Sequence, residues 1–226
     1  MFDGRWRTQI ERGMRPVGVN LRRTGLTADH LTAAGLALAA CAAVAIGNGA
    51  LRGGLLLVVL AALPDLLDGA LAKASGTAGP RGAFFDSVAD RVTDALLFGG
   101  VAWYLASTDG GRAAMLPFAV MAAAALISYQ RAKAESLGFD ARGGLMERAE
   151  RVILLCFGLL FDSLLVAVLW VMLALTLATA VQRFAKVWRQ ASDTRPRPER
   201  RVRRRRTARP VTTAGAWRRT GARRRT

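Results

Sequence analysis

Four aspartates stand at helical intervals in DLLDGALAKASGTAGPRGAFFDSVAD, residues 65–90 of a largely apolar chain. Asp65 and Asp68 are spaced i and i+3, Asp86 and Asp90 i and i+4, so each pair shares one helix face. The linker ASGTAGPRG carries Gly and Pro turn chemistry, which makes the two helices antiparallel neighbours with facing acids. Pro64, just ahead of Asp65, removes a helical donor and bends the helix where the acids begin. Four carboxylates near a low-dielectric region repel one another, and ionisable residues in membrane helices are costly enough to point to function. A cation resolves the repulsion. All-oxygen donors suit Mg²⁺ or Mn²⁺, and the absence of nearby His or Cys argues against zinc or copper. The count suits two Mg²⁺ ions, with Mn²⁺ able to substitute; such pairs, roughly 3.5–4 Å apart, stabilise the attacking and leaving oxygens of a phosphoryl displacement. Gly69, Ala70 and Ala72 would let a nucleotide or phosphate close to the backbone, and Lys73 would neutralise it. Ion pairs with Lys73, Arg81 and Arg91 are a plainer account, but they would dispose of two or three carboxylates rather than four at regular spacing.

The elements that must position these acids are membrane helices. Uncharged runs at 31–51, 95–108, 113–130 and 163–182 approach or reach the roughly 17–25 apolar residues of a spanning helix, without the alternation of barrel strands. The expectation is an all-α integral membrane protein with six transmembrane helices over 26–190. The first run lacks a persuasive cleavage site after it and reads as a retained span. The second span runs from about Leu51 to Ala74 and the third begins near Gly82. A turn at 161–163 splits 152–182 into two spans, the fifth starting near Leu145. Basic residues between spans two and three, between four and five, and after six place those loops, both termini and the acids on the cytoplasmic side. Residues 1–25 mix Trp6, Ile10 and Met14 with arginines, as an interfacial helix does, although Pro16 and Gly18 interrupt them.

The formal net charge of +17 is concentrated at one end: residues 193–226 hold fourteen arginines against two acids. The tail, 191–226, lacks apolar periodicity and is expected to be disordered, binding anionic headgroups rather than nucleic acid. Cys41 and Cys156 lie in apolar runs at no ligand spacing, and neither is assigned a role. His30 opens the first span and reads as a cap or packing residue.

Asp65, Asp68, Gly69 and Ala72, followed by Gly82, Asp86 and Asp90, resemble the signature of the CDP-alcohol phosphatidyltransferases, DxxDGxxAR followed after eight residues by GxxxDxxxD. Lys73 stands where the family usually has Arg, which keeps the charge and loses bidentate phosphate binding. The resemblance implies a six-helix, commonly dimeric enzyme of the cell membrane that moves a phosphatidyl group from a CDP-linked lipid to an alcohol and releases CMP. It also implies that Asp65, Asp68, Asp86 and Asp90 hold the metals and that Asp90 is the general base. Gly69, Ala72, Lys73 and Gly82 would bind the CDP-lipid. Asp29 and Thr32 in LTADHLT resemble the family's entry to its first helix and would help hold the nucleotide, with Ala28 where Pro is frequent.

ISYQRAKAESLG, MERAERVILL and VQRFAKVWRQ resemble the acceptor segments of actinobacterial members that use inositol phosphate. The match implies Ser128, Arg131, Lys133, Arg148, Arg151 and Arg183 as acceptor-phosphate ligands. A dianionic acceptor entering beside carboxylates does need nearby guanidinium groups. A glycerol 3-phosphate acceptor, as in phosphatidylglycerophosphate synthase, would keep the metal site and also want basic residues. From other classes, a divalent-cation transporter would line a route across the bilayer with acids, and a scaffold would work through its Arg tail.

Overall fold

The computed structural model describes residues 27–75, 79–109 and 111–193, and only the backbone at 28 and 65–75. The expected interfacial segment 1–25 and residues 194–226 of the tail lie outside the described residues. Six α-helices and no strands are found among the described residues: α1 Ala28–Gly47, α2 Leu51–Ser75, α3 Pro80–Thr108, α4 Met115–Ser136, α5 Arg148–Leu160 and α6 Leu165–Ser192.

Local chemistry sets the helix ends. Thr27 caps α1: its hydroxyl accepts from the His30 backbone N–H at 3.3 Å, and His30 Nδ1 accepts from the Thr27 N–H at 3.4 Å. His30 is thus a capping residue, the reciprocal arrangement that satisfies two donors at a helix start. Pro80 opens α3, where its missing N–H costs nothing. Pro64 lies inside α2. Between α5 and α6 the chain turns at Phe161 through a 3-10 helix, Asp162–Leu164, as the sequence leads one to expect. On the same end, the Tyr104 hydroxyl donates to Asp162 Oδ1 at 3.0 Å.

Among the described residues the main helix contacts run in a cyclic order: α1 on α2 and α3, α3 on α4, α4 on α6, α6 on α5, and α5 on α2. Small residues allow the closest approach. A Cβ at Gly100 of α3 would stand 2.6 Å from the Ala43 carbonyl oxygen and 2.7 Å from its Cα on α1, so those backbones touch. This is how apolar helices gain packing where burial from water is not available as a driving force. Phe98, Ile46, Leu105, Leu155, Leu169 and Met172 fill the interior. The outer surface is apolar too, with Leu56, Trp103, Phe118, Ile153, Trp170 and Val181 exposed, as in a protein whose surroundings are hydrocarbon.

Among the described residues, three helical stretches are long and apolar enough to cross a membrane: Asp29–Gly47, Met115–Ser136 and Asp162–Ser192. The expected count was six. Among the residues whose side chains are described, the apolar part of α2 is Leu51–Pro64. Helix α3 has 29 residues but carries charge through its first half. Helix α5 has 13 residues, about 20 Å, against a hydrocarbon core of about 30 Å. It begins at Arg148 rather than near Leu145, since residues 139–147 form a non-helical strap.

Candidate active site

The first half of α3 presents an acidic stripe in which Asp94 extends the Asp86 and Asp90 spacing by one more turn. Facing it, α5 starts with a capping box in which the Glu147 side chain takes the Glu150 backbone N–H and the Glu150 carboxylate takes the Glu147 N–H. That cap fixes the first turn and sets Arg148 and Arg151, spaced i and i+3, on one face. Arg148 Nη1 lies 2.9 Å from Asp90 Oδ1 and its Nε 4.0 Å from Asp94 Oδ1. Arg151 Nη2 donates to Asp94 Oδ2 at 2.8 Å, with side chains only 6% and 15% exposed. Among the described residues α3 and α5 are not close-packed along their backbones, so these long side chains span the gap between them. Arg91 approaches Asp90 Oδ2 at 3.7 Å and donates to the Ser87 carbonyl at 2.6 Å.

Arg183 is buried on α6. Its Nη1 donates to the Ile127 carbonyl at 3.0 Å, its Nε and Nη2 to the Gly143 carbonyl at 3.3 and 3.2 Å, and Nη2 also to Glu147 Oε1 at 3.3 Å. Arg183 thereby ties α4, the strap and the cap of α5 together. One α6 face holds the whole strap: the Met146 N–H donates to Thr179 Oγ1, Lys186 to Asp140 Oδ2 and the Arg142 carbonyl, and Gln190 Nε2 to the Asp140 carbonyl. The Arg142 backbone N–H and then the Lys186 ammonium hold the Asp140 carboxyl below its ordinary pKa. Gly143 at φ 88° and Gly144 at φ 156° give the strap its turns, and a Cβ at Gly144 would collide with Thr179 Cγ2.

The remaining acceptor candidates are more dispersed. Arg131 Nε pairs with Glu135 Oε1 at 3.1 Å on its own helix, and Lys133 is exposed. Ser128 lines an open groove between α3 and α4 of about 770 Å³, with Ser87, Arg91 and Tyr129 among apolar neighbours. At the entry to α1, Thr32 is buried and Asp29 Oδ2 lies 3.5 Å from Arg81 Nη2, which brings the α1 and α3 N-termini to the same end of the bundle. No described atom stands within 4 Å of a Cβ built at Gly82. Packing among the described residues therefore does not require glycine there, whereas close approach of a phosphate would.

Asp65 and Asp68 lie on α2, which ends at Ser75, five positions before α3 begins at Pro80. Their side chains, and those of Gly69, Ala72 and Lys73, are outside the described residues. No group of three metal-binding side chains forms among those described, so the full set depends on α2. The donor chemistry fits a hard divalent ion: Asp86 and Asp90 supply carboxylate oxygens one turn apart, and the α2 signature adds two more. Asp94 and Glu147 are the residues a sequence reading passes over, although the spacing 86, 90, 94 is a visible signal for the first.

The chain is similar to known proteins along most of its length. Phosphatidylinositol phosphate synthase of Mycobacteroides abscessus is 36% identical over 180 residues, covering 76% of this chain and 82% of its own. Archaetidylinositol phosphate synthase of Methanothermobacter thermautotrophicus is 32% identical over 191 residues, covering 82% and 93%. The crystal structure of Mycobacterium tuberculosis phosphatidylinositol phosphate synthase with CDP-DAG bound superimposes with a TM-score of 0.73 at 31% identity, covering 78% of this chain and 94% of that one. The same enzyme in complex with manganese and citrate gives 0.72 at 30%, covering 77% and 88%. The family model for CDP-alcohol phosphatidyltransferase matches residues 25–182, a span that includes the Thr27 cap of α1 and ends within α6, and the chain belongs to that family of membrane enzymes.

Proposed function

We propose that the chain is a phosphatidylinositol phosphate synthase, transferring the phosphatidyl group of CDP-diacylglycerol to inositol 1-phosphate with release of CMP. The observation that carries this reading is the 2.9 Å contact between Arg148 and Asp90, because it joins the basic acceptor cluster to the acidic signature in one place. Relatives named for inositol phosphate chemistry support the choice of acceptor.

Asp65, Asp68, Asp86 and Asp90 would hold two Mg²⁺ ions, with Mn²⁺ able to substitute. When bound, the ions neutralise the pyrophosphate and the charge that develops on departing CMP. Asp29, Thr32, Gly69, Ala72, Lys73 and Gly82 bind the CDP-lipid. Arg148 and Arg151 receive the acceptor phosphate, a dianion that competes with Asp90 for the Arg148 guanidinium and completes that of Arg151. Asp90 takes the proton of the inositol hydroxyl, whose oxygen attacks the phosphorus nearest the lipid. The bond from that phosphorus to the bridging oxygen breaks, and CMP leaves with the electron pair. Arg183 supports the cluster from behind, Arg131 and Lys133 lend positive charge at its edge, and Ser128 contacts the acceptor from α4.

All six helices thread the cytoplasmic membrane in this reading, the short α5 with its charged first turn facing a polar cavity rather than lipid, with the termini and site on the cytoplasmic side and the Arg-rich tail on anionic headgroups. A homodimer is part of the same proposal.

The test is CMP release by purified protein in detergent with CDP-diacylglycerol and Mg²⁺, offering inositol 1-phosphate, glycerol 3-phosphate and free inositol in parallel. Release that depends on inositol 1-phosphate is expected. Release with glycerol 3-phosphate alone would replace the acceptor, and cation flux without CMP release would replace the enzyme reading with a transporter.

A further inference from the structure

We propose that Asp94 is a positioning residue for the acceptor: it holds Arg151, and through it the acceptor's phosphate, in register with Asp90. The inference rests on the reading above that Arg148 and Arg151 receive that phosphate.

The four side chains between α3 and α5 form two rungs. In the outer rung, Asp90 and Arg148 are 23% and 28% exposed; in the inner rung, Asp94 and Arg151 are 15% and 6% exposed. A guanidinium this buried requires an anion beside it, and Asp94 Oδ2 provides one at 2.8 Å. The contact is made through Nη2. Arg151 Nε is buried and has no hydrogen-bond partner among the described residues, so the five-donor fork is not saturated by Asp94. An incompletely used, nearly buried guanidinium beside the acidic stripe is what a phosphate oxygen would complete.

Position separates the roles of the two acids. Asp90 meets an arginine that is more than a quarter exposed and able to exchange partners, whereas Asp94 meets one locked in the interior. Because α3 and α5 are not close-packed along their backbones, the inner rung sets the spacing across which the acceptor must fit. Arg148, at 4.0 Å from Asp94, is coupled to it more weakly. Removing the Asp94 charge should therefore disturb acceptor binding while leaving the CDP-lipid side alone.

The experiment is steady-state CMP release by the full-length chain in detergent, for wild type, Asp94→Asn, Asp94→Glu, Arg151→Gln and the double variant Asp94→Asn with Arg151→Gln. The acceptor KM of Asp94→Asn should rise at least about tenfold, with KM for CDP-diacylglycerol within about twofold of wild type. Asp94→Glu should recover most of the loss. The double variant should be no worse than Arg151→Gln alone, since Asp94 acts through Arg151. It buries no unpaired charge, so it carries the test if Asp94→Asn aggregates. A fall in kcat with an unchanged acceptor KM, or independent penalties that multiply in the double variant, would overturn the proposal. If wild type uses only glycerol 3-phosphate, the inositol phosphate reading fails, and the Asp94 claim is judged on the KM for that acceptor. No acceptor-dependent release from wild type overturns both.

Discussion

Two ion pairs of nearly equal length hold opposite ends of the same short stretch, and they do different work. Arg151 and Asp94 meet at 2.8 Å with side chains 6% and 15% exposed; Lys186 and Asp140 meet at 3.0 Å with side chains 43% and 61% exposed. Water screens the second pair and competes for both partners, so it fastens the strap as one contact among several. The first pair lies where water is scarce, and removing one partner strands the other's charge. Distance alone would have ranked the two together. Burial separates a contact on which the proposed acceptor site depends from one that only tidies the loop leading to it.

The largest effect that would sharpen this contrast comes from the outer rung. Asp90→Asn should lower phosphatidyl transfer at least about a thousandfold, the loss expected when a general base is removed, while Asp140→Asn leaves the rate unchanged. A transfer assay at saturating substrates decides it, and retained activity in Asp90→Asn would remove the assigned base. Next comes Arg151→Ala, which leaves the Asp94 carboxylate buried without its partner. Thermal unfolding in detergent should register a loss of about 3–5 kcal/mol, against no measurable change for Lys186→Ala. Equal shifts in the two variants would break the comparison.

Arg183→Met tests whether the strap needs its interior tie. Three carbonyl and carboxylate acceptors, at Ile127, Gly143 and Glu147, lose their donor together, and amide hydrogen exchange over 139–147 should speed up. Unchanged exchange would free Arg183 from this bracing role. The smallest effect concerns pH. The carboxyl of Asp140 has a depressed pKa in the folded chain, so its contribution is present above the unfolded value and fades as pH falls through the folded one. Exchange protection of the strap should be level from about pH 8 to 5 and decline only below about 4. A decline centred near neutrality would point to another group.

Much of this arrangement is legible in the chain because it is local. The i, i+3 and i, i+4 aspartates, the Gly and Pro linker, the capping role of His30 and the turn at Phe161 all follow from residues within a few positions of one another. What escapes is long-range. Asp94 sits within the visible spacing of its stripe, yet its partner Arg151 is 57 positions away, and the Gln190 contact with Asp140 spans 50. Apolar periodicity cannot pair such residues, nor can it tell that Arg183 faces backbone carbonyls. The six helices could be counted from apolar runs and turns, but α5 is a short, charged-ended helix rather than a full apolar span. Its arginines belong to the interior, where lipid does not dictate composition.

That the acidic signature and the buried arginine rung form one site is the proposal on which the others depend. It is tested most directly by the KM for inositol 1-phosphate in Arg151→Gln and Lys186→Gln, measured side by side in one detergent. A rise of at least about tenfold is expected in the first, with the CDP-diacylglycerol KM held within about twofold, and no change in the second. Equal effects in both variants, or none in Arg151→Gln, would contradict it.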